Sequence, residues 1–175
     1  RQAGGERLPH LVQSIDIAPT LLHLAGLIPP DTMQGKSLLP LIRKQNVIWR
    51  QVAFGENLWS TQHGNPRCET VRTDQYRYIR YFQNDRHEKT HATTKSLANA
   101  YASSLTASII GELAVYEELY HTAIDPYEST NLIHDKNYAK IAEDLRNKCS
   151  KLVQTAKGPL HQSSPTISLL KEKQE

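Results

Sequence analysis

The chain has 175 residues, of which 38% are hydrophobic and 22% charged, with a formal net charge of +3. This length is typical of one domain or a domain and a half, and the weak charge does not by itself indicate nucleic-acid binding. No apolar run approaches the length of a membrane span, and the two cysteines, Cys68 and Cys149, allow one disulfide at most.

The first strong signal in chain order is an apolar helix predicted between Ser14 and Gly26. Ser14 or Asp16 can cap its N-terminus, and Gly26 suits the position just after its last turn. A short apolar run before it, Leu8 to Val12, is typical of a strand end. The helix has almost no polar face, so we expect it to be buried between layers, with His23 packed in a core or an interface. Little of this chain precedes it, so we expect the chain to start inside a longer protein.

The next segments are short. After a proline pair at 29 and 30, Ser37 is predicted to cap a short apolar helix from Leu38 to Ile42. A strand is predicted over Gln51 to Glu56, and a polar loop, 57–67, follows it.

Two runs of β-forming residues around a turn at Asp74-Gln75 predict a β-hairpin. In its second strand, Tyr78 and Ile79 fall on opposite faces, and neither face is purely polar. A sheet of this kind is typically covered on both sides. We expect one cover from this chain and the other from outside it.

The second half of the chain is predicted to hold two helices and one more strand. Apolar residues four apart predict a helix over Lys95 to Ile110, and Val115 to Tyr120 is typical of a strand. The longest apolar stripe predicts a helix from Asn137 to Ala156, capped by Asp135 and ended by Gly158-Pro159. We expect this stripe to cover one face of the sheet.

Four segments, taken in order, resemble the C-terminal region of the type I sulfatase family, and most closely the sulfatases that act on sulfated polysaccharides. They are Asp16-Ile17-Ala18-Pro19-Thr20-Leu21-Leu22 with Leu24-Ala25-Gly26, Gln34-Gly35-Lys36-Ser37-Leu38-Leu39-Pro40-Leu41, Val71-Arg72-Thr73 with Tyr76-Arg77-Tyr78-Ile79, and Glu118-Leu119-Tyr120 with Asp125-Pro126-Tyr127-Glu128 and Asn131-Leu132. Each segment is short, so the order and spacing carry the resemblance. One departure is His121, where the family usually has Asp.

The resemblance implies an alkaline-phosphatase-like α/β domain followed by a small antiparallel sheet with a C-terminal helix packed on it, an α+β arrangement. Residues 1–45 are then expected to end the α/β sulfatase domain, 46–157 to form the C-terminal subdomain, and 158–175 to be a disordered tail. The N-terminal sulfatase domain would be the partner that covers the apolar helix and the second face of the sheet.

The chemistry that the resemblance implies needs a formylglycine, made from Cys or Ser in a C/S-x-P-S-R motif, and a calcium ion. Neither Cys68 nor Cys149 is followed by that pattern. Asp16, at a helix start, is expected to cap the helix rather than to bind metal. We therefore assign no catalytic or metal residue to this chain, and expect calcium and formylglycine in the part that precedes it.

The one candidate site is the loop that holds His63, Asn65 and Arg67, whose side chains could donate to hydroxyl, carboxylate and sulfate oxygens of a sugar. In the family, the corresponding loop can reach the mouth of the active site. The competing interpretation is a solvated loop shaped by its Gly and Pro. Arg72 and Arg77 are expected to be structural.

The resemblance thus implies the C-terminal portion of a sulfatase that hydrolyses sulfate esters of a sulfated carbohydrate, with no activity of its own. One alternative is a stand-alone carbohydrate- or protein-binding module, which would need a sheet with one solvated face. Another is a nucleic-acid binder that stacks bases on the Arg- and Tyr-rich strand, which the low net charge disfavours. The residues do not indicate a cellular compartment, and the family resemblance alone favours a secreted or periplasmic enzyme.

Overall fold

The computed structural model describes residues 5–57, 67–82 and 112–161, with the backbone alone for 157–161. The chain divides into two compact units, Arg1–Ala53 and Phe54–Glu175. The predicted domain limits, 1–45, 46–157 and 158–175, stay a prediction. The helix predicted over 95–110 lies outside the described residues.

The first unit is built around helix α1 (Ile17–Leu24), which continues from a 3-10 turn at Ser14–Asp16. Gly26 follows α1 with a φ of 76°, a left-handed conformation that glycine adopts at low cost, so the predicted helix stop is confirmed. A second, short helix, α2 (Leu39–Ile42), comes later in this unit. As predicted, Ser37 accepts a hydrogen bond from the first amide of α2, at 3.3 Å.

Two expectations for the first unit were wrong. Leu8 to Val12 form no strand, because no strand lies beside them in the described part of this unit to form a ladder with them. His23 is exposed rather than packed in a core, so only the interface alternative stays a prediction.

Four strands form one sheet in the order β1 (Ala53–Asn57), β2 (Cys68–Arg72), β3 (Arg77–Tyr81) and β4 (Tyr116–Tyr120). Strand β3 is antiparallel to both of its neighbours. The predicted hairpin is confirmed as β2 and β3. Its turn is closed by Thr73, whose amide donates to the carbonyl of Tyr76 at 2.8 Å and whose hydroxyl accepts from the amide of Tyr76 at 2.9 Å.

The long helix α3 (Ala139–His161) packs across one face of this sheet, mainly against β2 and β3. Asp135 caps the 3-10 turn that leads into it, because its Oδ1 accepts from the amide of Asn137 at 2.9 Å. The predicted stripe is confirmed, and its buried members are Ala142, Leu145, Cys149 and Val153. The helix runs on through Gly158-Pro159, so the predicted end was wrong. A proline removes one helical hydrogen bond, and a helix can continue through it with a local defect.

One ion pair within the sheet lies under α3, and a second joins α3 to the sheet. Arg80 donates to the buried carboxylate of Glu69 at 2.7 Å and to the hydroxyl of Ser150 on α3 at 3.0 Å. Arg146 on α3 donates to both carboxylate oxygens of Glu117 at 2.8 Å. Burying Glu69 and Arg80 under α3 is tolerable because the two charges are paired within the sheet. The contacts that depend on the position of α3 are the bond from Arg80 to Ser150 and the partly exposed pair of Arg146 with Glu117.

The α+β prediction is confirmed, as a small antiparallel sheet with a C-terminal helix on one face. Both faces of the sheet contain buried apolar side chains, as the hairpin pattern indicated, since Tyr78 and Ile79 are both buried. No helix in the described ranges is long and apolar enough to cross a membrane.

Candidate functional site

The β1–β2 and β3–β4 connections begin and end at the same end of the sheet. Cys68 opens β2 and pairs with Tyr81 at the end of β3, which pairs in turn with Tyr116 at the start of β4. The last residue of β1, Asn57, makes a backbone hydrogen bond to the side chain of Cys68. The roots of the predicted substrate loop therefore lie beside the roots of the β3–β4 connection.

Of the three predicted site residues, His63 and Asn65 lie outside the described residues, and Arg67 is described. The Arg67 side chain is only 4% exposed. Its Nη2 donates to Glu112 Oε2 at 2.6 Å, and its guanidinium lies 5.7 Å from the ring centroid of Phe82. In this conformation Arg67 offers little surface to a ligand, and its predicted role as a sugar donor stays a prediction.

Sequence reasoning missed Glu112. It lies 45 residues from Arg67 in the sequence, and no periodic pattern or motif links the two positions. Only the pairing of β3 with both β2 and β4 brings the two residues together.

The sheet face opposite α3 carries tyrosines grouped around Glu118. The Tyr81 hydroxyl donates to Glu118 at 2.8 Å, and the ring of half-exposed Tyr116 lies 5.8 Å from that of Tyr81. Burial and the hydrogen bond to Glu118 raise the pKa of Tyr81. The described residues cover this face only in part.

A buried carboxylate, that of Asp16, ties three segments of the first unit together. Its Oδ2 accepts from the amide of Gln13 and its Oδ1 from the amide of Lys36, both at 2.8 Å. Both oxygens also pair with Arg50, whose Nη2 lies 2.6 Å from Oδ1. Burial raises the pKa of Asp16, but these hydrogen bonds and the charge of Arg50 outweigh it and bring the pKa below its ordinary value. Asp16 takes part in the capping box of the 3-10 turn by accepting from Gln13, but its side chain makes no cap hydrogen bond to α1, where it had been predicted to cap. The ion pair with Arg50 was not foreseen.

The first two segments of the resemblance meet next to this carboxylate. Thr20 Oγ1 donates to the carbonyl of Asp16 at 2.6 Å and accepts from the amide of Leu38 at 2.8 Å. A Cβ built on Gly35 would lie 1.9 Å from the carbonyl oxygen of Ile15, so no larger residue fits without a shift of the backbone. The residue types at Asp16, Thr20 and Gly35 therefore have structural reasons.

The described residues do not fit the calcium ion or the formylglycine that the resemblance implies. No group of three His, Cys, Asp or Glu side chains among them could hold a metal ion. The oxygens of Asp16 are bonded to Arg50 and two amides. Burial raises the pKa of the Cys68 thiol, and Cys149 is buried with its sulfur 4.0 Å from Glu69, so neither is an activated nucleophile.

A shallow cleft of about 410 Å³ lies in the first unit, lined by prolines, by Trp49 and by the exposed His23 and Lys36. The Trp49 indole is held within the unit, because Nε1 donates to the carbonyl of Leu11 at 2.8 Å and the Arg50 guanidinium lies 5.2 Å from the ring centroid. These contacts indicate a structural role for the tryptophan.

Comparison with known proteins gives a consistent result. Residues 2–116 match the model of the family described as N-sulphoglucosamine sulphohydrolase, C-terminal. The chain is 28% identical over 145 residues to an ulvan-active sulfatase of Formosa agariphila, covering 81% of this chain and 28% of that protein. It is 26% identical over 136 residues to an N-acetylglucosamine-6-O-sulfatase of Bacteroides thetaiotaomicron, covering 75% and 19%. The solved structure of a 2-O GAG sulfatase shares the fold with a TM-score of 0.63 at 23% identity, covering 91% and 28%. The chain spans less than a third of the length of each of these relatives.

Proposed function

Because this chain belongs to the N-sulphoglucosamine sulphohydrolase C-terminal family, we propose that it is the C-terminal portion of a sulfatase that hydrolyses sulfate esters of a sulfated carbohydrate. One curated relative is an ulvan-active sulfatase and another an N-acetylglucosamine-6-O-sulfatase, which supports a sulfated saccharide as the substrate class. In this proposal the chain completes the fold and forms one wall of the substrate cleft.

The observation that carries the proposal is the exposed apolar face of α1. Ile17, Leu21 and Leu24 are between 56% and 62% exposed on a helix that has almost no polar face. An apolar surface of this kind is typical of an interaction site, because covering it removes apolar area from water. The cover that we propose is the N-terminal α/β domain of the sulfatase.

Substrate contact is assigned to the β1–β2 connection, at the end of the sheet where Cys68, Tyr81 and Tyr116 pair. His63 and Asn65 are the proposed donors to sugar oxygens, on the basis of their side-chain chemistry. Arg67 could reach a sulfate group only by leaving its bond to Glu112.

Formylglycine and calcium would come from the α/β domain, since the described residues of this chain do not fit either group. When present, formylglycine supplies the nucleophile and calcium binds sulfate oxygens. The residues of this chain then contribute binding and positioning, not the chemical step.

The test compares this chain alone with the same chain joined to its α/β domain. Release of sulfate is measured from a small aryl sulfate and from a sulfated oligosaccharide, with calcium and with a chelator. We expect activity only from the joined form, and its loss when calcium is removed. Sulfate release by the isolated chain would contradict the proposal. A joined form that binds the saccharide but releases no sulfate would instead support the binding-module alternative.

A further inference from the structure

We propose that the cleft of the first unit, in which Lys36 and Trp49 lie, is a binding site for a sulfated saccharide. The class of ligand rests on the proposed function. The saccharide gains a second contact with this chain, in addition to the one assigned to the β1–β2 connection. The side chains that would bind it all belong to the first unit.

The cleft has the size and the lining of a ligand site. Its volume of about 410 Å³ falls in the range of roughly 300–1,000 Å³ that is common for pockets that bind small molecules. Ile48 is 98% exposed and Trp49 is only partly buried, so apolar surface is open to a ligand. Apolar side chains form much of the lining, namely Pro19, Pro29, Pro30, Met33, Pro40, Val47, Ile48 and Trp49.

The polar side chains of the cleft match a ligand that carries both a negative charge and hydroxyl groups. Lys36 and His23 are exposed and can donate to sulfate oxygens, and exposed Asp31 can accept from sugar hydroxyls. A free anion would gain nothing from Asp31, and an uncharged apolar ligand would gain nothing from Lys36. A sulfated sugar ring has an anionic group, hydroxyl donors and apolar C–H faces that can pack against Trp49.

The walls of the cleft are already fixed in the structure. The amide of Lys36 donates to Asp16 Oδ1 at 2.8 Å. The Trp49 indole donates to the carbonyl of Leu11 at 2.8 Å and lies beside Arg50, which is itself paired with Asp16. One buried carboxylate thus supports both sides of the proposed contact. A site that is ordered in advance loses less conformational entropy when a ligand binds.

The cleft lies on a different face of α1 from the apolar surface assigned to the α/β domain. Pro19 and His23 are four residues apart, so they share one face of the helix. Ile17, Leu21 and Leu24 lie about 150° away around the helix axis, at 3.6 residues per turn. The α/β domain can therefore cover that apolar face without filling the cleft.

The experiment measures the affinity of this chain for three probes by isothermal titration calorimetry. The probes are a sulfated dextran oligosaccharide, unsulfated dextran of the same length, and inorganic sulfate. The test variant is Lys36→Gln. The control is Lys44→Gln, which removes the same charge from a side chain of the first unit that is 65% exposed and bonded to Glu6.

We expect the sulfated oligosaccharide to bind at least about tenfold more tightly than either other probe, because only it engages the cation, the carboxylate and the apolar wall together. Lys36→Gln should weaken this binding about three- to tenfold, the effect of losing one charge-assisted hydrogen bond at an exposed site. Lys44→Gln should change it less than about twofold. The fold of Lys36→Gln should be unaffected, since Asp16 binds the amide of residue 36 and not its side chain.

Four results would overturn the proposal. Equal weakening by Lys36→Gln and Lys44→Gln would show a general attraction to positive charge. Equal affinity for the sulfated and unsulfated oligosaccharides, or for inorganic sulfate, would reject the ligand class. No binding by the unsubstituted chain would reject the site. The last concerns backbone amide chemical shifts, which locate the bound probe. Gly35 and Ile48 should shift, and changes confined to the second unit would reject the cleft.

Failure of the proposed function would be recognised separately, as a joined form with the α/β domain that releases no sulfate from any substrate. The binding measurements on this chain would then still decide whether the cleft takes a sulfated saccharide. If the joined form is active, Lys36→Gln should leave its kcat/KM for a small aryl sulfate within about twofold, because that substrate is too small to need a second contact. A larger loss on the aryl sulfate would contradict a role in saccharide binding alone.

Discussion

Asp16 binds three segments of the first unit through one carboxylate, so we expect Asp16→Asn to be strongly destabilising. Arg50, nearly buried, would lose its counter-ion, and breaking one side of such a pair costs about 3–5 kcal/mol. The free energy of unfolding in urea measures the loss. Glu6→Gln is the control, because the Lys44–Glu6 pair is mostly exposed and should contribute less than about 1 kcal/mol. Equal effects of the two substitutions would contradict the assigned role of Asp16.

The same carboxylate predicts how stability depends on pH. Hydrogen bonds and the charge of Arg50 bring the pKa of Asp16 below its ordinary value against the effect of burial, and a hydrogen bond from Arg146 does the same for Glu117. A carboxyl group whose pKa is lower in the folded state stabilises the fold above its unfolded pKa and loses that effect as pH falls through the folded pKa. We expect the free energy of unfolding to be flat near neutral pH and to fall below about pH 4.

Urea unfolding between pH 7 and pH 2.5 checks this expectation. In Asp16→Asn the group no longer titrates, so the acid decline should be shallower than in the unsubstituted chain. A variant whose stability declines in parallel with the unsubstituted chain would show that Asp16 does not contribute.

At the scale of single residues, the sequence predicted interactions between residues that are close together in the chain. Capping by Asp135 and the helix stop at Gly26 depend on neighbours within a few residues, and both were predicted. Arg50 lies 34 residues from Asp16, and Glu112 lies 45 from Arg67. Such partners are set by tertiary contacts, which no local pattern encodes.

Among the elements, β4 is an outer strand of the described sheet, and Asn131 binds its edge. Asn131 Oδ1 accepts from the amides of Leu119 at 3.0 Å and Ile133 at 3.1 Å, and its Nδ2 donates to the carbonyl of Glu117 at 3.2 Å. This gives a physical reason for the Asn-Leu segment of the resemblance. The Asn131 side chain makes hydrogen bonds to the backbone of β4 that a neighbouring strand would otherwise make, so this edge of the sheet is protected.

We expect Asn131→Ala to lower the free energy of unfolding by about 1–3 kcal/mol, because the amide of buried Leu119 would lose its acceptor. Hydrogen exchange at the Leu119 amide should speed up in parallel. Thr130→Ala, at the neighbouring exposed residue, is the control and should change stability by less than about 0.5 kcal/mol. Unchanged exchange at Leu119 would rule out the edge-binding role.

The elements that the sequence predicted well are those with long or repeated signals. The hairpin and α3 have clear periodicities, and both were found. The strand end at Leu8 to Val12 was wrong because a strand requires a neighbour, which a run of apolar residues does not guarantee. The end of α3 was wrong because Gly and Pro make a helix stop more probable without enforcing one.

For the molecule as a whole, the apolar face of α1 predicts association. Leu21 is 60% exposed, and in the proposed function the α/β domain covers it. We expect Leu21→Glu to abolish co-elution of this chain with a separately expressed α/β domain in size-exclusion chromatography, since the cover would have to bury an unpaired charge. The unfolding free energy of the isolated chain should change little, because the side chain is already in water.

The control is Leu113→Glu, which places the same charge at another exposed apolar residue, in the second unit. It should leave co-elution intact if α1 is the docking surface. Co-elution that survives Leu21→Glu would show that the α/β domain binds elsewhere or not at all.

The order of the strands has a consequence for how the protein is made. The strands of the sheet follow one another along the chain, and α3 comes last. On the ribosome all four described strands therefore emerge before the helix that covers them. The face that α3 later covers carries Glu69 and Arg80 beside its apolar residues. Water can therefore solvate part of this face until α3 has been synthesised. We expect this face to adhere to other nascent chains less than a purely apolar one would. The charges that are paired beneath α3 in the finished fold would then protect the sheet during its synthesis.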